Sequence, residues 1–149
     1  MLNRPVEVTT PSHGVALGIY GLTAALGVFH LTDVAAAAAL TDRIGVGAAN
    51  LWAVVMMAGG GTAFTAAISA RPHNIIRNLA AEAAGCAAIA AAFGLYLWSL
   101  FAGYPGLTSS MTTKSLCAAV IVGCLIRNVQ IIRERRRVLH QPPPADPTI

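Results

Sequence analysis

Charged side chains are scarce in this chain. They make up 11% of its 149 residues, whereas 56% of the residues are hydrophobic. A soluble domain carries about 25% charged residues, because its surface has to face water. The small polar inventory therefore excludes an ordinary water-soluble domain and predicts an integral membrane protein with a single domain.

Recognisable catalytic and ligand-binding motifs are also missing. The sequence holds no P-loop, no strand-borne GxGxxG, no GxSxG, and no CxxC, HExxH or other paired Cys/His spacing. Its three cysteines, Cys86, Cys117 and Cys124, lie in apolar runs, and an odd number does not suit a disulfide framework. We expect small packing residues there, and no catalytic residue, cofactor, metal site or enzymatic activity in the chain.

Long apolar stretches dominate the rest of the sequence. About 20 apolar residues cross a bilayer core of about 30 Å. Four stretches are predicted to do so, namely 14–31, 51–70, 79–102 and 115–132. The fourth has an uncharged core of only 12 residues, between Lys114 and Arg127. We expect these two side chains to reach opposite headgroup layers and so to compensate for the short core.

The distribution of basic residues predicts the topology. With four spans and a cytoplasmic N-terminus, eight basic residues lie on the cytoplasmic side, and only Arg43 and Lys114 lie outside. The eight are Arg4, Arg71, Arg77, Arg127, Arg133, Arg135, Arg136 and Arg137. This asymmetry follows the positive-inside rule. We therefore predict an all-α polytopic protein with both ends in the cytoplasm, and we assign the net charge of +4 to topology, with no nucleic-acid partner.

Three segments follow from this topology. Residues 1–13 form a cytoplasmic N-terminal tail, residues 14–132 form the four-helix transmembrane domain, and residues 133–149 form a cytoplasmic tail that is first basic and helical and then proline-rich. The loop 32–50 is expected to hold either a short outer helix or an extension of the first span, which ends near Gly45 or Gly47. An alternative makes residues 1–39 a cleaved signal peptide, which would leave three spans and the same tail.

Several side chains are expected to anchor the chain at the membrane surfaces. Tryptophan and tyrosine favour the interface, and Trp52, Trp98 and Tyr104 fall near the predicted outer surface. Arginines are expected to anchor the inner surface, and these are Arg127, Arg133, Arg135, Arg136 and Arg137. The lipid bilayer is accordingly a predicted partner, and small-xxx-small spacings within the spans favour a tight bundle and a homo-oligomer.

Glu82 is the acidic residue whose role the sequence leaves open. It lies three residues past the predicted start of the third span, where a carboxylate suits the positive end of the helix dipole. Arg71 and Arg77 are close in sequence and are candidate partners. One interpretation is a carboxylate held at the membrane boundary. The other is a functional polar group that faces the bundle interior or a neighbouring subunit, since charges within the membrane often mark function.

With these landmarks, the chain resembles the small four-span membrane proteins of actinobacterial phages that are called holins. The similar segments are LWAVVMMAGGG at 51–61, RP and NLAAEAAG at the start of the third span, GLYLWSL at 94–100 and IRNVQIIRERRR at 126–137. The resemblance implies a protein that oligomerises in the inner membrane and opens a lesion for a co-expressed lysin. Holins share no catalytic motif, so the resemblance carries over no active-site residue.

Two other functions remain as alternatives. A non-lytic membrane partner, such as a superinfection-exclusion factor or an accessory subunit, fits the same physical features. A small multidrug-type transporter also has four spans, but it needs a central carboxylate in its first span. The first predicted span here, 14–31, holds no acidic residue, which makes the transporter the weakest of the three hypotheses.

Overall fold

The computed structural model of the chain describes residues 12–32, 38–69, 74–103 and 111–140. Across these ranges the chain forms five helices and no strand. They are α1 (Ser12–Leu31), α2 (Ala38–Ile44), α3 (Val46–Ile68), α4 (Ile75–Gly103) and α5 (Met111–Leu139). All except α2 are long and apolar enough to cross a membrane. This confirms the prediction of an all-helical chain with four candidate spans, while the orientation of its ends stays a prediction.

The helices start and end at positions that differ from the predicted spans. α3 begins at Val46, directly after Gly45, which has a φ of 83° that few other residues adopt without strain. α4 begins at Ile75, so Glu82 is its eighth residue and lies beyond the first turn. α5 continues without a break through the basic segment to Leu139, as expected for a helical tail.

The four long helices pack in the order of the chain. α1 packs on α3, α3 on α4 and α4 on α5, whereas α1 and α5 meet only narrowly. Successive neighbours are antiparallel. In the first pair, Gly27 near the end of α1 approaches Ala53 near the start of α3, and Tyr20 earlier in α1 approaches Gly60 later in α3. The narrow α1–α5 contact includes the position of Gly123, where a Cβ would lie 3.9 Å from the side chain of Ile19.

Glycines bring the first three long helices into backbone contact. A Cβ placed on Gly27 would lie 2.6 Å from Ala53 O, and one on Gly60 would lie 2.7 Å from Tyr20 O. A Cβ on Gly85 would lie 2.6 Å from Gly59 O. Real side chains do not fit at such distances, so the absence of a side chain is what allows this close approach. We refer to these contacts as the glycine seams of α1–α3 and α3–α4.

The two ends of the bundle differ in chemistry. The basic end is where α4 begins and α5 ends, and the aromatic end is where α4 ends and α5 begins. At the aromatic end, α2 packs on α3 and α4, and Arg43 Nη2 donates a 2.6 Å hydrogen bond to Ala102 O. The ammonium group of Lys114 lies 4.6 Å from the ring centroid of Phe101. Lys114 is therefore buried against the bundle, whereas it was expected to extend to the headgroups.

Candidate functional site: an ion pair inside the bundle

Charged and polar side chains from three helices meet inside the bundle. Arg127 of α5 pairs with Glu82 of α4, with 2.8 Å between Arg127 Nε and Glu82 Oε1. Tyr20 of α1 donates a hydrogen bond from its hydroxyl to the same Glu82 oxygen at 3.0 Å. Cys86 of α4 and Cys124 of α5 complete this group, which we call the core cluster. Four of its five members are less than 4% exposed, and Arg127 is 9% exposed.

The guanidinium group of Arg127 contacts both oxygens of the Glu82 carboxylate. Nε donates to Oε1, and Nη2 donates to Oε2 at 3.2 Å. Such two-point contacts fix the planes of both groups and are stronger than neutral hydrogen bonds. The remaining nitrogen, Nη1, lies 3.5 Å from Oε1 of Glu134, a half-buried residue two turns further along α5. Arg127 therefore faces two carboxylates.

Tyr20 links the ion pair to the cysteines. Its hydroxyl lies 3.1 Å from Cys86 Sγ as well as 3.0 Å from the Glu82 carboxylate. A hydroxyl carries one hydrogen, and an ionised carboxylate can only accept, so the hydroxyl donates to Glu82 and accepts from the thiol of Cys86. Gly60 sets the position of Tyr20, because α3 and α1 touch at that residue.

The spacing of the polar residues explains how the core cluster forms. Glu82 and Cys86 are four residues apart on α4, and Cys124 and Arg127 are three apart on α5. Residues at either spacing lie on one face of a helix. Because α4 and α5 are antiparallel, the order is reversed on the second helix, so Glu82 lies opposite Arg127 when Cys86 lies opposite Cys124. The ion pair therefore fixes the register of α5 on α4.

A buried ion pair does not in itself stabilise a fold. Removing two charges from water costs about as much free energy as their attraction returns, so apolar residues in the same place are often equally stable. A mismatched register would leave Glu82 or Arg127 buried without its partner. A buried charge without a partner destabilises a protein by roughly 3–5 kcal/mol. The pair thus contributes more to the choice of one arrangement than to stability.

The structure pairs Glu82 differently from the sequence expectation. Its contacts are with Arg127 and Tyr20, and not with Arg77, which is exposed at the basic end. Arg77 lines an open depression of about 360 Å³ with Ile68, Ser69, Asn74 and Asn78. Arg71 lies outside the described residues. Of the two interpretations of Glu82, the geometry agrees with a polar group that faces the bundle interior.

Arg127 also differs from its predicted place at the membrane surface. Its side chain turns into the α4–α5 interface, where Glu82 neutralises it, instead of extending to the headgroups. The four arginines that follow, Arg133, Arg135, Arg136 and Arg137, are exposed on the last turns of α5. Their role as surface anchors stays a prediction.

Trp52 lies within the bundle, although the sequence placed it at the outer surface. Its indole N–H donates a 2.7 Å hydrogen bond to Ala92 O, and its ring packs against His30 and Tyr96. Only 8% of Trp52 is exposed, compared with 56% of Trp98. Trp98 is thus available for the surface role predicted for both, and Tyr104 lies outside the described residues.

These two tryptophans allow a direct test of the bundle interior, since the chain has no others. In lipid vesicles with brominated acyl chains, Trp98→Phe leaves Trp52, and Trp52→Phe leaves Trp98. We expect the fluorescence of Trp98 to be quenched several-fold more than that of Trp52, because only Trp98 reaches the lipid. Equal quenching of the two variants would contradict the interior position of Trp52.

Within the ranges that the structure describes, no group of three or more His, Cys, Asp or Glu side chains is placed to bind a metal ion. The polar groups of the core cluster satisfy one another, which makes them suited to hold helices together or, when separated, to face water.

No protein family model, no curated protein and no solved structure matches the chain.

Proposed function

We propose that the chain is a holin-like protein that oligomerises in the bacterial inner membrane and permeabilises it, so that a co-expressed lysin reaches the cell wall. One observation carries this proposal: the outward surface of the bundle is apolar, and the charged pair Glu82–Arg127 is enclosed within it. A lesion former needs both properties, since it must dissolve in lipid before it opens and must present polar groups to water afterwards.

α5 is the helix that is best placed to move. The glycine seams join α1, α3 and α4 by backbone contact, whereas no glycine among the described residues brings the backbones of α4 and α5 together, and α5 barely meets α1. The outward face of α5 carries a series of large, exposed apolar side chains: Leu116, Val122, Leu125, Ile126, Val129 and Ile132. Such a face is suited to contact lipid or a second copy of the chain.

Separation of α5 from α4 would uncover the core cluster. In hydrocarbon, uncovered Glu82 and Arg127 would be strongly unfavourable, because charges at that depth lose their hydration. If several copies meet, the same groups can line a water-filled opening, or Arg127 can pair with Glu82 of another copy. The ion pair therefore acts as a latch, by which we mean that it holds α5 against α4 in a single copy of the protein.

The test is inducible expression in a bacterium with no lysin, monitored with a dye that reports membrane potential. We expect an abrupt depolarisation after the protein has accumulated. Glu82→Gln weakens the latch and is expected to advance the onset, whereas the exchanged pair Glu82→Arg with Arg127→Glu keeps an ion pair and is expected to delay it toward that of the unaltered protein.

The matched control is Arg135→Gln, which removes an exposed charge from the same helix and is expected to leave the onset unchanged. Protein amounts in the membrane fraction are compared for every variant. An unchanged membrane potential at amounts of protein equal to those of a known lesion former would refute permeabilisation.

A non-lytic membrane partner is the second candidate. The fact that favours it is the completeness of the core cluster, in which both oxygens of Glu82 are already engaged by Arg127 and one also by Tyr20. A unit that never opens would show this arrangement too. Constant membrane potential together with co-purification of one specific membrane protein would support this function.

The transporter hypothesis gains no support from the site. A small multidrug-type transporter was expected to need a central carboxylate in its first span, and α1 from Ser12 to Leu31 holds no acidic residue. Glu82 lies in α4 and is paired, so it has no unoccupied oxygen with which to couple proton and substrate binding.

A further inference from the structure

Two cysteines face each other across the interface between α4 and α5. Cys86 is fully buried and Cys124 is 2% exposed, and neither takes part in a disulfide. The two thiols interact with each other across this interface, and Cys86 Sγ also lies 3.1 Å from the Tyr20 hydroxyl. They are therefore neighbours in space, although 38 positions separate them in the chain.

The ion pair supports the same juxtaposition independently. From Glu82 to Cys86, α4 advances by four residues, or about 6 Å. From Arg127 back to Cys124, α5 advances by three residues, or about 4.5 Å, in the same direction because the helices are antiparallel. A contact between Glu82 and Arg127 at 2.8 Å thus places the two cysteines at matching heights on facing sides.

Cys117 provides an internal contrast. It is also buried on α5, but it lies seven residues from Cys124, which is about 10 Å along the helix axis. A disulfide requires a Cα–Cα distance of about 4.4–6.8 Å, so Cys117 cannot join this pair without rearrangement. The odd number of cysteines is consequently explained by one facing pair and one packing residue.

We propose that Cys86 and Cys124 are a modification site at which an uncharged two-electron acceptor forms a disulfide between α4 and α5. Quinones and azo compounds belong to this class, and they enter a bilayer. Two S–H bonds break and one S–S bond forms. The acceptor takes up the two electrons and two protons, so that a quinone becomes a quinol and an azo group becomes a hydrazine.

The disulfide would join α4 and α5 covalently beside the Glu82–Arg127 pair. Its cysteines lie about one turn from the ion pair on both helices, so it would hold α5 in the same register. Oxidation thereby ties α5 to the rest of the bundle, and reduction releases it. Formation of the disulfide depends on the packing of α4 and α5 and is independent of the proposed permeabilising function.

The experiment counts free thiols before and after oxidation. The full-length protein in phospholipid vesicles is treated with diamide, an uncharged azo compound, dissolved in SDS and labelled with a polyethylene glycol maleimide. We expect the unaltered protein to lose two of its three reactive thiols. Dithiothreitol before the labelling step should restore all three.

Single alanine variants identify the pair. Cys117→Ala is expected to lose both remaining thiols, whereas Cys86→Ala and Cys124→Ala are expected to keep both of theirs. Peptide mass spectrometry should recover one cross-linked species, which joins the segments that contain Cys86 and Cys124. Three thiols retained by the unaltered protein after diamide, or cross-linked peptides that contain Cys117, would overturn the proposal.

A protein that fails to fold would not give the single Cys86–Cys124 disulfide that we expect of the folded protein. In SDS the helices are no longer packed on one another, so any two of the three cysteines can meet. Diamide treatment of the dissolved protein should therefore give mixed pairs that include Cys117. The folded protein is therefore recognised by its single pairing. Mixed pairing in intact vesicles that equals the pairing in SDS would count against the facing arrangement.

Discussion

Replacing Arg127 with methionine is expected to lower the free energy of unfolding by about 3–5 kcal/mol. Methionine retains much of the apolar stem of arginine but removes the positive charge that faces Glu82. The buried carboxylate then keeps the hydrogen bond from Tyr20 and loses the ion pair. An uncompensated charge inside a bundle is among the most costly defects that a single substitution creates. Equilibrium unfolding of the purified protein by SDS in mixed micelles measures the loss.

Two further variants separate the ion pair from general effects of arginine loss. Arg135→Met removes an exposed charge from the same helix and is expected to change the free energy by less than about 0.5 kcal/mol. The double variant Glu82→Leu with Arg127→Met removes both charges and is expected to recover most of the lost stability. Equal destabilisation by Arg127→Met and Arg135→Met would show that the pair is not buried.

Replacing Gly60 with alanine is the second large effect that we expect, a loss of about 2–3 kcal/mol. The new Cβ would lie 2.7 Å from both Ala24 N and Tyr20 O, which are backbone atoms that cannot rotate away. α1 and α3 would have to separate, and Tyr20 would move away from Glu82 with them. The same SDS titration measures this loss.

The neighbouring glycine supplies the control for this prediction. Gly61 also lies in the middle of α3, but no atom lies within 4 Å of the position of its Cβ. Gly61→Ala is therefore expected to leave stability unchanged or to raise it by about 0.5–1 kcal/mol, because alanine favours the helix more than glycine does. If both substitutions had the same effect, the α1–α3 seam would not be as close as the structure shows.

The existence of the four long helices was predictable from the sequence, because each depends on a local property. Apolar runs of the length of a bilayer core define them, and their type does not depend on distant residues. Their ends were less predictable. The start of α4 at Ile75 includes polar residues that hydropathy assigned to a loop, and the start of α3 depends on the single backbone angle of Gly45.

The partner of Glu82 was not predictable from proximity in the chain. Arg77 is five residues away, whereas Arg127 is 45 residues away and belongs to a different helix. Only the antiparallel packing of α4 on α5 brings them together. One signal was available: the uncharged core of the fourth span is too short, and this is resolved if Arg127 lies inside the membrane with an acidic partner. Glu82 is the one acidic residue within a predicted span.

Trp52 illustrates a second limit of the sequence. A tryptophan near the end of a span suits the membrane surface and the bundle interior equally well, since both offer an apolar surface and an acceptor for its N–H. The choice depends on which side of α3 faces α4. Trp52 and Gly59 are seven residues apart, or about two turns, so they share the face that packs on α4.

The burial of Arg127 also has a consequence for biogenesis. A nascent α5 offers the translocon a short uncharged segment followed by an arginine, and an unpaired arginine near the centre of a helix opposes insertion by about 2.5–3.5 kcal/mol. Glu82 is synthesised earlier, and if α4 is already in the membrane it can neutralise that charge. We therefore expect α5 to depend on α4 for its integration, with the order of synthesis supplying the partner before it is needed.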